Sequence, residues 1–196
     1  IGPIDERRVT LRSGFNLYAT HSFGFEEMLQ AAEVIDAVAI IGMSMDESYE
    51  DIRDFVEYVN GDATTRWGAL RAKYGHREPY RLKRPITRGY IECVKKFAEA
   101  AWEVDPEMSI MTSLNIGRGY TKGTPEYKLA SDMVSWFISK GKQDKLAWDP
   151  HYSGTRSFAD TKDLFENEMG IVLQRELAQD FPGFKLNLHP MEENGS

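Results

Sequence analysis

Ser109-Ile110-Met111-Thr112-Ser113-Leu114-Asn115 reads as a strand, and it opens the stretch that decides the fold. A glycine-bearing loop, Gly117 to Gly123, follows it. Thr124-Pro125-Glu126 then has the form of a helix start. A threonine N-cap takes one of the orphan N–H groups, and proline's missing N–H costs nothing at the first helical position. The helix predicted from there carries Leu129, Met133, Trp136, Phe137 and Ile138 and stops at Lys140-Gly141. Lys145 to Ser153 is a second short strand. Strand, helix and strand in this order make a crossover unit, which joins parallel strands.

The same alternation extends in both directions. Phe25 to Ile35 places Phe25, Met28, Leu29, Ala32 and Ile35 at helical spacing, with Glu26, Glu27 and Glu33 between them. Ala37-Val38-Ala39-Ile40-Ile41-Gly42 is a continuous apolar run and predicts a strand buried on both faces. Ser48 to Asn60 is the next helix, with Ile52, Phe55, Val56 and Val59 on one face and Asn60-Gly61 as its stop. Asp62 to Arg88 is polar and broken by Gly75, Pro79 and Pro85, with a short helical turn at Trp67 to Arg71. Tyr90 to Val104 is an amphipathic helix that Asp105-Pro106 ends. Downstream, Phe158 to Gln179 reads as a helix and Phe184 to Leu188 as a final strand. The repetition predicts an α/β fold with a parallel sheet, either part of a (β/α) barrel or an open doubly wound sheet. Gly117-Arg118-Gly119 lacks the third glycine of a dinucleotide fingerprint and reads as a plain connecting loop.

Composition narrows the function classes. The 196 residues suffice for one core and fall short of the ~250 typical of an eightfold barrel. A net charge of −7 argues against a dedicated nucleic-acid binder. No apolar run approaches the ~18 residues of a membrane span. The single Cys93 leaves no intrachain disulfide framework, and on its helix it reads as a small hydrophobe. The chain starts Ile1-Gly2-Pro3 without a basic or apolar leader, and both ends read as cuts through a longer chain. Localisation stays open, with the extracellular or periplasmic side favoured.

In parallel α/β folds functional groups gather at the carboxyl ends of strands. Here those ends offer Met43, Ser44 and Met45; Asn115; Asp149, His151 and Tyr152; and His189, Glu192 and Glu193. Carboxylates, imidazoles, an amide and aromatic rings suit a polyhydroxylated ligand. Each has a plainer reading. Glu192-Glu193 could be a solvated strand end, His151 a structural histidine, and Trp136 and Trp148 core residues. Trp67, in a polar stretch, is harder to explain as core. His21, His76, His151 and His189 show no zinc spacing, and no nucleophile-elbow motif occurs, so no metal or cofactor is expected.

Several segments together resemble the α-L-arabinofuranosidases of glycoside hydrolase family 51. They are Ile1-Gly2-Pro3-Ile4-Asp5-Glu6-Arg7, Phe23-Gly24-Phe25-Glu26-Glu27 and Glu57-Tyr58-Val59-Asn60-Gly61. The most specific is Trp67-Gly68-Ala69-Leu70-Arg71-Ala72-Lys73-Tyr74-Gly75-His76 with Glu78-Pro79-Tyr80. Trp148-Asp149-Pro150-His151-Tyr152 resembles the sixth-strand motif, and Met191-Glu192-Glu193-Asn194-Gly195 the seventh-strand end that bears the nucleophile. The resemblance implies a (β/α)8 TIM barrel and retaining removal of terminal α-L-arabinofuranosyl groups from plant polysaccharides. Such chemistry uses two carboxylates ~5–5.5 Å apart, a nucleophile and an acid/base. It implies Glu193 as nucleophile, with Glu192 as fallback, and His151, Tyr152, Asn115 and Trp67 as substrate contacts. It also implies an arabinose-containing oligo- or polysaccharide as partner, is compatible with a homo-oligomer, and implies neither nucleic acid nor membrane.

The sequence departs from the family pattern at defined places. After Lys83 the family continues into a fourth strand ending in an Ile-Gly-Asn-Glu motif that carries the acid/base. Here Lys83 runs into Arg84-Pro85-Ile86-Thr87-Arg88-Gly89-Tyr90, which resembles the start of the following helix. Strands 1, 2, 4 and 8 are therefore expected to be absent, with a segment missing near residues 82–87 of a partial barrel domain covering 1–196. Ser153 stands where the family has a tyrosine. Two readings remain: a retaining glycosidase chain lacking part of its barrel, or a non-catalytic carbohydrate-binding or scaffold protein or inactive fragment of the same fold.

Overall fold

The computed structural model describes residues 6–12, 17–44, 46–83, 86–88, 91–114, 121–150, 152–153, 171–188 and 193–194. Its elements in chain order are β1 (Thr10–Arg12), β2 (Leu17–Ala19), α1 (Phe25–Val34), β3 (Gly42–Met43), α2 (Tyr49–Asn60), α3 (Arg66–Lys73), β4 (Ile86–Arg88), α4 (Ile91–Val104), β5 (Ile110–Leu114), α5 (Pro125–Ser139), β6 (Leu146–Pro150), β7 (Tyr152–Ser153), α6 (Ile171–Asp180) and β8 (Glu193–Asn194). β1 and β2 form an antiparallel pair. The main sheet is parallel, in the order β3-β4-β5-β6. It continues sideways through a parallel bridge from Trp148 to Leu188, where the Trp148 N–H donates to the Asn187 carbonyl at 2.8 Å. Among the described residues this wall does not close into a barrel.

The cap read at Thr124 is present, and the structure adds one at Ser48. Thr124 Oγ1 accepts from the Tyr127 N–H at 3.1 Å at the start of α5, and Ser48 Oγ accepts from the Asp51 N–H at 3.0 Å at the start of α2. The α3 start is tighter. Thr65 Oγ1 accepts from the Gly68 N–H, and a Cβ on Gly68 would lie 2.0 Å from the Asp62 carbonyl oxygen. Only glycine allows that approach.

The sheet sorts its residues by period-two alternation. Ile110, Leu146 and Trp148 face the helices, in a core with Val94, Phe97 and Phe137. Met111 and Ala147 lie on the opposite face with Ile40. The helix-facing core is large and joins α2, α4, α5 and α6, whereas the other cluster is small.

Three expectations are corrected. The Ala37–Gly42 run is not a doubly buried strand: pairing is confined to Gly42–Met43, and Val38 is 62% exposed. With no partner strand beyond β3 among the described residues, one side of this run has nothing to bury against. Ile86–Arg88 is a strand, not a helix start, and it pairs with both β3 and β5. The place between those strands is filled, and each neighbour gains the ladder partner that its backbone groups need. Finally, the predicted last strand is reduced to the Leu188 bridge, and the helix before it is seen as Ile171–Asp180, residues 158–170 lying outside the described residues.

A buried polar cluster ties α1, α2 and α3 together. Glu26, 7% exposed, accepts from Tyr58 Oη and Tyr80 Oη, both at 2.5 Å. Burial first, and the bond to Glu26 second, push both phenols up from their ordinary value. Arg71 is fully buried and donates to the carbonyls of Tyr58, His76 and Arg77 at 2.5, 3.1 and 3.0 Å. The His76 ring stacks on Tyr80 with centroids 3.8 Å apart, and its Nε2 lies 2.8 Å from Glu33 Oε2 on α1. The segment that carries the most specific family-like motif is thus a buttress for the helices beside β3.

Replacing Arg71 with Met would strand three carbonyls, and we expect a loss of about 2–4 kcal/mol in urea unfolding. A second expectation concerns pH. Arg7 donates twice to Glu27, at 2.9 and 2.7 Å, and the Gly24 N–H adds a bond at 2.8 Å. The Arg7 bonds hold Glu27 down at about 2, against an ordinary 4.5. A lowered carboxylate stabilises fully above its unfolded value and loses that contribution as pH falls through the folded one. Melting temperature should therefore drop between pH 4.5 and about 2, and Glu27→Gln should flatten that part of the profile.

Candidate functional site

The carboxyl ends of β3, β4, β5 and β6 lie along one edge of the sheet. On that edge β7 pairs in parallel with β8, and Tyr152 stands level with Glu193. The register is informative. From the Trp148–Leu188 bridge to the Tyr152–Glu193 pair, the first chain advances four residues and the second five. One extra residue on the second strand changes which of two adjacent residues is level with its neighbour. Here Glu193 holds that place.

The sequence-derived candidates distribute as follows. Tyr152 and Glu193 are brought together at the level of the backbone. His151, Asn115 and Glu192 lie outside the described residues. Trp67 sits on α3, half-buried, packed against the cluster of Leu29, Ile41, Tyr58, Val59, Tyr80 and Leu82. The Arg66 guanidinium lies 4.8 Å from its ring centre, and the Trp67 Nε1 is buried with no hydrogen-bond partner. Trp148 is fully buried in the helix-facing core, as its plainer reading had it.

Asp149, offered with the strand-end groups but given no role by the resemblance, follows Trp148 directly. It is fully buried and, by alternation from Ala147, shares the face opposite the helices. Its register partner on β5 is Ser113. Leu146-Ala147-Trp148-Asp149 alternates faces, and that pattern could have revealed a carboxylate on the inner face. Among the described residues no three His, Cys, Asp or Glu side chains converge as metal ligands. The edge therefore offers a carboxylate-bearing residue and a phenol-bearing residue in register, with a buried carboxylate one strand layer below: a set suited to a polar organic ligand.

Trp67→Phe should test the placement of the indole. It should lower stability in urea unfolding by about 1–2 kcal/mol through the lost volume.

Comparison with known proteins places this geometry. The model of the alpha-L-arabinofuranosidase 1 domain matches residues 1–169. A protein of Aspergillus oryzae named "Probable alpha-L-arabinofuranosidase A" is 24% identical over 192 residues, covering 80% of this chain and 30% of that protein. The solved family 51 alpha-L-arabinofuranosidase AbfB of Bifidobacterium longum superposes with a TM-score of 0.74 at 18% identity, covering all of this chain (100%) and 43% of the other. The Thermotoga maritima alpha-L-arabinofuranosidase, solved as an arabinose complex, gives 0.58 at 19% identity, over 97% of this chain and 51% of that one. The chain spans less than a third of the length of the first curated relatives it matches. It belongs to the alpha-L-arabinofuranosidase 1 domain family and is a distant relative of the family 51 arabinofuranosidases, spanning part of their length.

Proposed function

We propose that this chain is part of a retaining glycoside hydrolase that releases terminal α-L-arabinofuranosyl residues, with Glu193 as nucleophile. The observation that carries the reading is the register of Glu193 with Tyr152 at the carboxyl edge of a parallel sheet. The family membership and the likeness of the sheet to solved arabinofuranosidases support it. The register also favours Glu193 over Glu192. In the first step a Glu193 carboxylate oxygen bonds to the anomeric carbon as the bond to the aglycone oxygen breaks. Water then adds at the same carbon, arabinose leaves and the carboxylate is restored. His151 and Tyr152 would hold the sugar or the nucleophile, and Asn115 a hydroxyl.

The first step needs a proton on the departing oxygen when the aglycone is a poor leaving group. Lys83 to Tyr90 contains no acidic residue. For this chain the consequence is selectivity by leaving group. A 2,4-dinitrophenyl arabinofuranoside, whose phenolate departs unaided, should be cleaved, and azide should accelerate the second step by trapping the glycosyl-enzyme. Arabinan should turn over slower by about two to four orders of magnitude than with an intact acid/base. Glu193→Gln should abolish the activated reaction. Activity persisting near the unsubstituted rate would move the nucleophile elsewhere.

The missing acidic residue also favours a second reading, a carbohydrate-binding or scaffold role on the same fold. Saturable binding of an arabinofuranoside in calorimetry, with no release of dinitrophenol, would select it.

A further inference from the structure

A cavity of about 410 Å³ opens at the other end of the sheet, lined by Asn60, Arg81, Lys83, Asp105, Glu107 and Ser109 over a floor that includes Leu82 and Met108. Lys83 precedes β4 and Ser109 precedes β5, so it faces the amino ends of the strands, away from Glu193. Its size falls in the range of small-molecule sites.

The charges lining it are unequal in their engagement. Asp105 accepts from Asn60 Nδ2 at 2.7 Å and from the Glu107 N–H at 3.0 Å. Glu107 pairs with Lys145 Nζ at 2.8 Å. Both acids thus have protein partners and keep lone pairs for further donors. Among the described residues, the Arg81 and Lys83 side chains have no hydrogen-bond or ion-pair partner. They belong to a basic run: residues 71–88 hold seven Lys and Arg against the single Glu78, in a chain of net charge −7.

The backbone at Arg81 is held for this placement. Its φ is +55°, a region that costs any residue with a Cβ. Both flanks are pinned. The Tyr80 N–H donates to the Val59 carbonyl at 2.8 Å and its hydroxyl to Glu26, while the Leu82 N–H donates to Asn60 Oδ1 at 2.8 Å. Arg81 is thus a strained residue fixed on both sides that lines the cavity with a cation.

We propose that this cavity binds an anionic monosaccharide, a sugar acid or sugar phosphate, with its charged group on Arg81 and Lys83. The apolar floor takes a ring face, and the carboxylates of Asp105 and Glu107 accept from hydroxyls. A guanidinium and an ammonium side by side supply the donors that a carboxylate or phosphate needs. The proposal does not rest on the glycosidase reading, and it stands or falls separately from Glu193.

The test is calorimetric titration of the full chain with D-galacturonate, α-D-galactose 1-phosphate, neutral D-galactose and sulfate. Saturable binding of either anionic sugar, at least about tenfold tighter than galactose and than sulfate, is expected, and the stronger arm identifies the anion. Arg81→Gln with Lys83→Gln should weaken it at least about tenfold. Arg81→Gly keeps the φ without strain, so its melting temperature should not fall while its affinity does. Three results would overturn the proposal: no saturation by either anionic sugar, sulfate binding as tightly as both, or affinities untouched in the folded variants.

Discussion

The sheet depends on Ile86, Thr87 and Arg88. These β4 residues pair with Gly42 and Met43 on one side and with Met111, Thr112 and Ser113 on the other. A parallel strand inside a sheet has backbone donors and acceptors on both edges, and each buried group left unpaired costs free energy comparable to a lost hydrogen bond. Without β4 the β3 side and the β5–β6 side would be separate layers. With it, α2 and α4 pack side by side over one surface, and Val56 and Val94 enter the same core. The parallel sheet is thereby kept continuous from β3 to β6.

A second constraint lies beside the sheet. Arg71 serves three carbonyls from full burial, and Glu26 accepts from two buried phenols. A buried guanidinium is tolerated only with its donors satisfied. Tyr58 supplies two of those partners and the chain from Tyr74 to Leu82 the other three, which explains why a stretch with glycine and proline follows one course. It also sets Arg81 in its left-handed conformation and opens the cavity at the amino ends of the strands. The same residues that brace α1 against α2 therefore shape a surface far from the carboxyl edge.

Along that edge, the register of β7 and β8 carries the functional reading. The extra residue between the Leu188 bridge and Glu193 decides which glutamate of the Glu192-Glu193 pair stands level with Tyr152. Asp149 adds a buried carboxylate on the inner face of the neighbouring strand.

The sequence by itself determined the crossover unit from Ser109 to Ser153, the helices α1, α2, α4 and α5, the Thr124 cap of α5, and the family. Those signals are local: a threonine before a proline, an apolar face at helical spacing, a motif in order. What it could not decide was whatever depends on a neighbour. Ala37 to Ile41 has the composition of a buried strand, yet burial needs a partner on each side, and pairing stops at Gly42–Met43. Ile86 to Arg88 looks like a helix start until the ladders of β3 and β5 leave room for a strand. Trp67, in a polar stretch, packs as core because α3 lays it against Tyr58 and Leu82, residues distant in sequence. The resemblance alone prefers Glu193 to Glu192, and the pairing of Glu193 with Tyr152 comes from cross-strand register, which no local pattern encodes.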